Sequence, residues 1–82
     1  MVRRDGAEIR KERIQEVIRR IVSLLYDHDE IELDSTVAML EYETGLRPEK
    51  IMEYLRIGDR LKRFEIDQDH NKIRKLSLEV EQ

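Results

Sequence analysis

Beyond its backbone and hydroxyl groups, this 82-residue chain draws its chemistry from 16 Lys and Arg, 19 Asp and Glu and two His. Cysteine is absent, which removes disulfides and thiolate metal ligands. The stretch Asp27-His28-Asp29-Glu30 sets an imidazole among carboxylates. Adjacent loop residues seldom converge on one ion, and no second His is near in sequence, so the stretch reads as a solvated loop. His70 reads the same way. Ser23, Ser35 and Ser77 lack the Gly-x-Ser-x-Gly context of an activated nucleophile. Gly6, Gly45 and Gly58 are the only glycines, too scattered for a loop that cradles phosphate. Carboxylates abound, yet no pair stands out as an acid–base dyad. The inventory predicts a binding protein and not an enzyme, with no metal and no cofactor.

What remains is charge and where it gathers. The formal net charge is −3, which by itself argues against a nucleic-acid partner. The distribution is uneven. Residues 1–26 hold seven Lys and Arg against four Asp and Glu. Residues 27–46 hold seven acids and no base. Residues 47–63 hold six bases against three acids, and residues 64–82 three bases against five acids. Two positive segments thus flank an acidic one. A local basic face can bind phosphate on a protein that is acidic as a whole. The acidic stretch 27–43 is in turn a candidate surface for a basic protein partner.

The positive segments must be presented by regular elements, and the chain supplies them. Asp5-Gly6-Ala7-Glu8 has the form of a capping box, with Asp5 as N-cap. Ile14, Val17, Ile18, Ile21, Val22 and Leu25 then recur at helical spacing and predict a first helix over 5–26. Arg10, Lys11, Arg13, Arg19 and Arg20 fall on its polar face. Ile9 and Leu24 are apolar length beyond what a small core needs, and they predict a homodimer through this helix. Ile31-Glu32-Leu33 alternates and predicts a short strand over 31–33. Asp34 or Ser35 is the expected cap of a second helix over 35–44, with Val37, Met39 and Leu40 inward.

Gly45 can take the left-handed turn that ends that helix, and Pro48 suits the first position of the next. Two helices joined by so short a turn must cross, as in a helix-turn-helix. The third helix is expected over 48–63, with Ile51, Tyr54, Leu55 and Leu61 as its inner stripe. Gly58 falls on the same stripe, where it permits close packing against the first helix or marks a kink. Tyr26, Tyr42 and Tyr54 read as aromatics at the core edge. Phe64-Glu65-Ile66-Asp67 and Lys72-Ile73-Arg74-Lys75-Leu76 flank the polar turn Gln68-Asp69-His70-Asn71 and predict a hairpin over 64–78. Asn71 is the residue best suited to a left-handed conformation there. Leu76, Leu78 and Val80 alternate along the last strand.

This order, with Thr44-Gly45-Leu46-Arg47-Pro48-Glu49-Lys50-Ile51 at its centre and the hairpin behind it, resembles the winged helix-turn-helix family. The resemblance spans about residues 8–80. It implies a mostly α fold with a small β-hairpin, an α+β winged helix-turn-helix of three helices plus a two- or three-stranded antiparallel wing. The small, highly charged, cysteine-free character is similar to archaeal or archaeal-virus regulators. In that family the third helix lies in the major groove of double-stranded DNA and the wing follows a neighbouring backbone or minor groove.

Carried onto this sequence, the resemblance sets Arg47, Glu49, Lys50, Glu53 and Arg56 near the groove, and His70, Asn71, Lys72 and Arg74 on the wing. Lys50 and Arg56 can donate to guanine or phosphate, and Glu53 can accept from cytosine. Arg47 is unusual at an N-cap. It leaves helix N–H groups open, which together with its guanidinium can hold a phosphate. Glu49, Glu53 and the acidic second helix depart from the pattern of a strong DNA binder.

The length fits one small domain. No apolar run approaches the roughly 20 residues of a membrane helix, and the N-terminus has no apolar secretory core. These features predict a cytoplasmic protein without a membrane partner.

Overall fold

A computed structural model describes residues 6–76. Three helices, α1 (Gly6–Tyr26), α2 (Leu33–Thr44) and α3 (Pro48–Arg60), stand with three short strands, β1 (Glu30–Glu32), β2 (Glu65–Asp67) and β3 (Lys72–Arg74). The strands form one antiparallel sheet in the order β1-β3-β2. This is the α+β winged-helix layout expected from the sequence. Alternation sends Ile31, Ile73 and Ile66 into one cross-strand row. Ile73, on the central strand, is fully buried, and Ile31 and Ile66 pack against the same core. Val17, Ile18, Ile21 and Leu25 of α1, Leu40 of α2, and Ile51, Tyr54 and Leu55 of α3 complete most of that core. The helical periodicity located these positions. Ile14, Val22, Val37 and Met39 pack around them, partly buried.

The turn that orients α3 follows local rules. Gly45 has φ 76°, in the left-handed region, and its N–H donates to the Glu41 carbonyl at 2.9 Å. Thr44 Oγ1 donates to the Leu40 carbonyl and accepts from the Leu46 N–H, which fixes the next two residues. Arg47 is extended at the N-cap of α3, and Pro48 occupies its first turn.

Several boundaries differ from the sequence expectation, each for a tertiary reason. The helix expected from 35 begins at Leu33, and Leu33 is a buried helical residue instead of the end of a strand. Neither Asp34 nor Ser35 is the cap. Glu32 holds the N-cap position, and the capping oxygen comes from across the fold. Asn71 Oδ1 accepts from the Asp34 N–H, and the Asn71 carbonyl accepts from the Leu33 N–H, both at 2.9 Å.

The helix expected to 63 ends at Arg60. Lys62 takes φ 63°, its N–H donates to the Asp59 carbonyl, and the Arg63 N–H donates to the Gly58 carbonyl. This paired closure is usually built on glycine; here a lysine does it. Leu61 therefore leaves the inner stripe and lies 59% exposed, while Phe64 fills the core.

Gly58 packs directly against the Phe64 ring. A Cβ there would sit 2.3 Å from Phe64 Cζ. Tyr54 is buried, but Tyr26 and Tyr42 are exposed and not at the core edge. Leu24 packs on the core and is half-buried; Ile9 stays 43% exposed. The hairpin strands span 65–67 and 72–74. Leu76, expected on the last strand, lies past its end. Asp5, Leu78 and Val80 lie outside the described residues.

Candidate nucleic-acid interface

The residues expected to touch DNA separate into two groups. On α3, Ile51, Tyr54, Leu55 and Gly58 turn inward. Helical geometry then sends Glu49, Glu53, Arg56 and Arg60 outward, with Lys50 on the shoulder towards α1. The N-terminal half of this face is internally neutralised. Glu53 accepts from Arg10 of α1 at 2.7 Å and lies 3.3 Å from Lys50 Nζ. The Arg10 hydrogen bond, and after it that of Lys50, hold the Glu53 carboxyl below the usual carboxylate range. Arg10 also lies 6.0 Å from the Tyr54 ring centroid. Arg47 is 85% exposed, with Glu49 3.9 Å from its Nε. Arg56 and Arg60, further along, make no ion pair among the described residues.

The wing group is engaged within the fold. Glu30, Arg74 and Glu65 share one cross-strand row, and Glu32, Lys72 and Asp67 share the other. The outward face of the sheet therefore carries four acids and two bases. Arg74 bonds Asp67 through Nη1 and Glu30 through Nε. Lys72 Nζ lies 3.5 Å from Glu30. His70 Nδ1 contacts Asp67 at 2.8 Å, and the His70 N–H donates to Asp67 Oδ1. Arg74 above all, then His70, lower the Asp67 carboxyl to about 2. Asn71 does take the left-handed conformation, at φ 57°, but its side-chain oxygen caps α2. Of the four wing residues, Lys72 and Arg74 are neutralised, His70 faces a carboxylate, and Asn71 holds the fold together.

The two sides of α3 differ accordingly. Towards the wing, Arg56 and Arg60 border a cleft shared with Asp59, Glu65, Asp67 and Asp69. Asp59 Oδ2 accepts from the Ile66 N–H there, which ties β2 to the helix. Towards α1, the cleft beside Leu61 is bordered by Arg10, Lys11, Arg19 and Arg63 and, among the described residues, by no acid. Lys11, Arg13, Arg19, Lys62 and Arg63 make no ion pair among the described residues. Arg20 differs: it donates twice to Glu43, at 3.0 and 3.1 Å, and ties α1 to α2.

The sequence pointed to the polar face of α1 as basic. It did not single out Arg60, Lys62 or Arg63. The signal for them was the charge excess of 47–63; what hid them was the expectation of a longer α3, which left no place for the turn that presents them.

The acidic segment also takes definite form. Asp34, Ser35, Ala38 and Tyr42 are exposed on α2, with Tyr42 92% exposed. Among the described residues no cluster of His, Asp and Glu is arranged to hold a metal, and no helix is long and apolar enough to cross a membrane. Comparison with known proteins found no matching family model, no similar curated protein and no similar solved structure.

Proposed function

We propose that this chain is a DNA-binding protein, a non-catalytic transcriptional regulator of the cytoplasm that seats α3 in the major groove of a duplex. One observation carries the reading. The helix that follows the Gly45–Pro48 turn bears two outward arginines, Arg56 and Arg60, with no ion pair among the described residues. Such cations neutralise phosphates or donate to guanine without first breaking an internal contact. Lys50 and Arg47 extend the face, at the cost of releasing a glutamate. The proposal assigns the wing a smaller role than the family resemblance implies, because Lys72 and Arg74 already satisfy Glu30 and Asp67. A homodimer would present two such helices to related half-sites; Ile9 and Tyr26 are exposed large hydrophobic residues on α1 available for it.

Fluorescence anisotropy with a mixed-sequence duplex tests the reading. Wild type should bind with an affinity that falls steeply with salt, and the Arg56→Ala, Arg60→Ala variant should bind at least tenfold more weakly. Binding indifferent to salt would rule the reading out, because phosphate neutralisation releases counterions.

A second reading, an adaptor that recruits a basic protein, rests on the α2 surface that carries exposed Asp34 and Tyr42 with half-buried Glu41. It replaces the first if wild type shows no DNA binding at low salt and a partner captured by the protein is lost with Asp34→Lys, Glu41→Lys.

A further inference from the structure

The unpaired cations of this molecule do not all lie on the outward face of α3. Lys11, Gln15 and Arg19 follow one another at four-residue spacing and border the cleft between α1 and the C-terminal end of α3. Arg63 faces them from the far bank, and exposed Leu61 lines the wall between. The position of Arg63 is set by the left-handed turn at Lys62, whose hydrogen bonds to Asp59 and Gly58 fix where the chain leaves the helix. Arg10 completes the border, and it already holds Glu53 together with Lys50. The nearby acid is thus neutralised twice, and among the described residues no carboxylate lines the cleft.

From this geometry we propose that the α1–α3 cleft is a second DNA contact, a seat for the phosphodiester backbone that flanks the segment read by α3. The proposal rests on the DNA-binding reading above. Its ligand follows from the lining. Lys11 and Arg19 are eight residues apart, a rise of about 12 Å along the helix. That matches the axial length of about three phosphates on one strand at roughly 3.4 Å each. The amide of Gln15 between them can donate to a phosphate oxygen without adding charge. Leu61 offers an apolar wall suited to a deoxyribose. The wing cleft on the other side of α3 lacks this character, since four carboxylates border it. The flanking contact that a wing would make is therefore transferred to the opposite side of the helix.

The test measures duplex affinity from low to moderate salt for wild type, for Lys11→Ala, Arg19→Ala, Arg63→Ala, and for Arg56→Ala, Arg60→Ala. All three substituted residues of the cleft variant are exposed and make no ion pair among the described residues, and its melting curve should match wild type. The cleft variant should bind at least tenfold more weakly near 100 mM salt. Its plot of log affinity against log salt should flatten by about 2 to 3, at roughly 0.9 for each phosphate that is no longer neutralised. Its preference among duplex sequences should not change, because backbone contacts carry no sequence information.

A wild-type slope retained in the cleft variant, while the α3 variant fails to bind, would overturn the cleft site and leave the reading of α3 intact. Absence of binding by wild type would overturn both. If polyglutamate of matched charge displaces the duplex from wild type as effectively as competing duplex does, the cleft is an acidic-peptide site and the proposal is wrong.

Discussion

The two sides of α3 are built from similar numbers of basic residues and reach opposite electrostatic outcomes. On the wing side, Lys72 and Arg74 sit in strand rows whose other members are Glu30, Glu65, Glu32 and Asp67. On the α1 side, Lys11, Arg19 and Arg63 meet no acid across the cleft among the described residues. A β-sheet forces its neighbours together at about 5 Å, so a base between two acidic strands is paired by the register itself. A helix edge facing a turn imposes no such partner. The lesson is that a basic residue on a wing is not thereby a DNA contact; its cross-strand neighbours decide whether its charge is available.

The same asymmetry holds for packing. The wing side is rooted by Phe64, fully buried against the space left by Gly58. The α1 side ends on Leu61, mostly exposed. Phe64→Ala should cost about 3–5 kcal/mol through the cavity it leaves. In a domain of this size that lowers the melting temperature by about 15 °C or more. Leu61→Ala should cost under about 0.5 kcal/mol, as for other surface truncations. Similar melting losses for the two variants, read by circular dichroism, would break the comparison at its base.

An intermediate effect is expected where the hairpin meets α2. Asn71→Ala removes the oxygen that caps the Asp34 N–H and sets a Cβ-bearing residue without a local hydrogen-bonding side chain at φ 57°. It should cost about 1–2 kcal/mol, near the upper range for removal of a cap. Asn71→Gly keeps the conformation and removes only the cap, so it should be the milder of the two. The reverse order in denaturant melts would show that the cap is not what Asn71 contributes.

The smallest effect belongs to the exposed ion-pair network of the wing. Asp67 faces Arg74 and Lys72 on β3 and His70 in the turn, and Glu30 competes for Arg74 from the other side. Its carboxyl is lowered to about 2 in the fold, chiefly by the Arg74 hydrogen bond. A group depressed in the native state stabilises it above the ordinary Asp pKa, near 3.9, and loses that contribution as pH falls through the folded value. Stability should therefore decline between about pH 4 and pH 2 more gently in Asp67→Asn than in wild type. Parallel declines in acid titrations followed by circular dichroism would show that solvent already screens the pair.

How much of this was legible depended on the sequence distance over which each feature is decided. The Gly45–Pro48 turn and the left-handed Asn71 are local and follow from residue type. The core stripes of α1 and α3 follow from periodicity, except at Leu61, where the pattern continues on paper after the helix has ended. Lys62 in a left-handed turn could not be read, because its competence comes from its own N–H bond to the Asp59 carbonyl and that of Arg63 to the Gly58 carbonyl, and not from being lysine. The use of Gly58 depended on Phe64, six residues on and across a turn. Least legible were the partners of Asn71, Lys72 and Arg74. Apart from Asp67, which meets Arg74 across the hairpin, those partners lie in β1 and α2, about forty residues earlier, where the antiparallel pairing of β1 with β3 brings them together. The sequence marked the wing residues as polar and basic. Their availability was a tertiary property.

The most direct test of this account is an NMR titration of uniformly labelled wild-type protein with a mixed-sequence duplex, following backbone amides. The largest shifts should fall at Lys11–Arg19 and at Arg56–Arg63, with small shifts along 67–74 and on α2. Dominant shifts at the turn 68–71 and strand β3, with α1 unmoved, would contradict it and return the flanking contact to the wing.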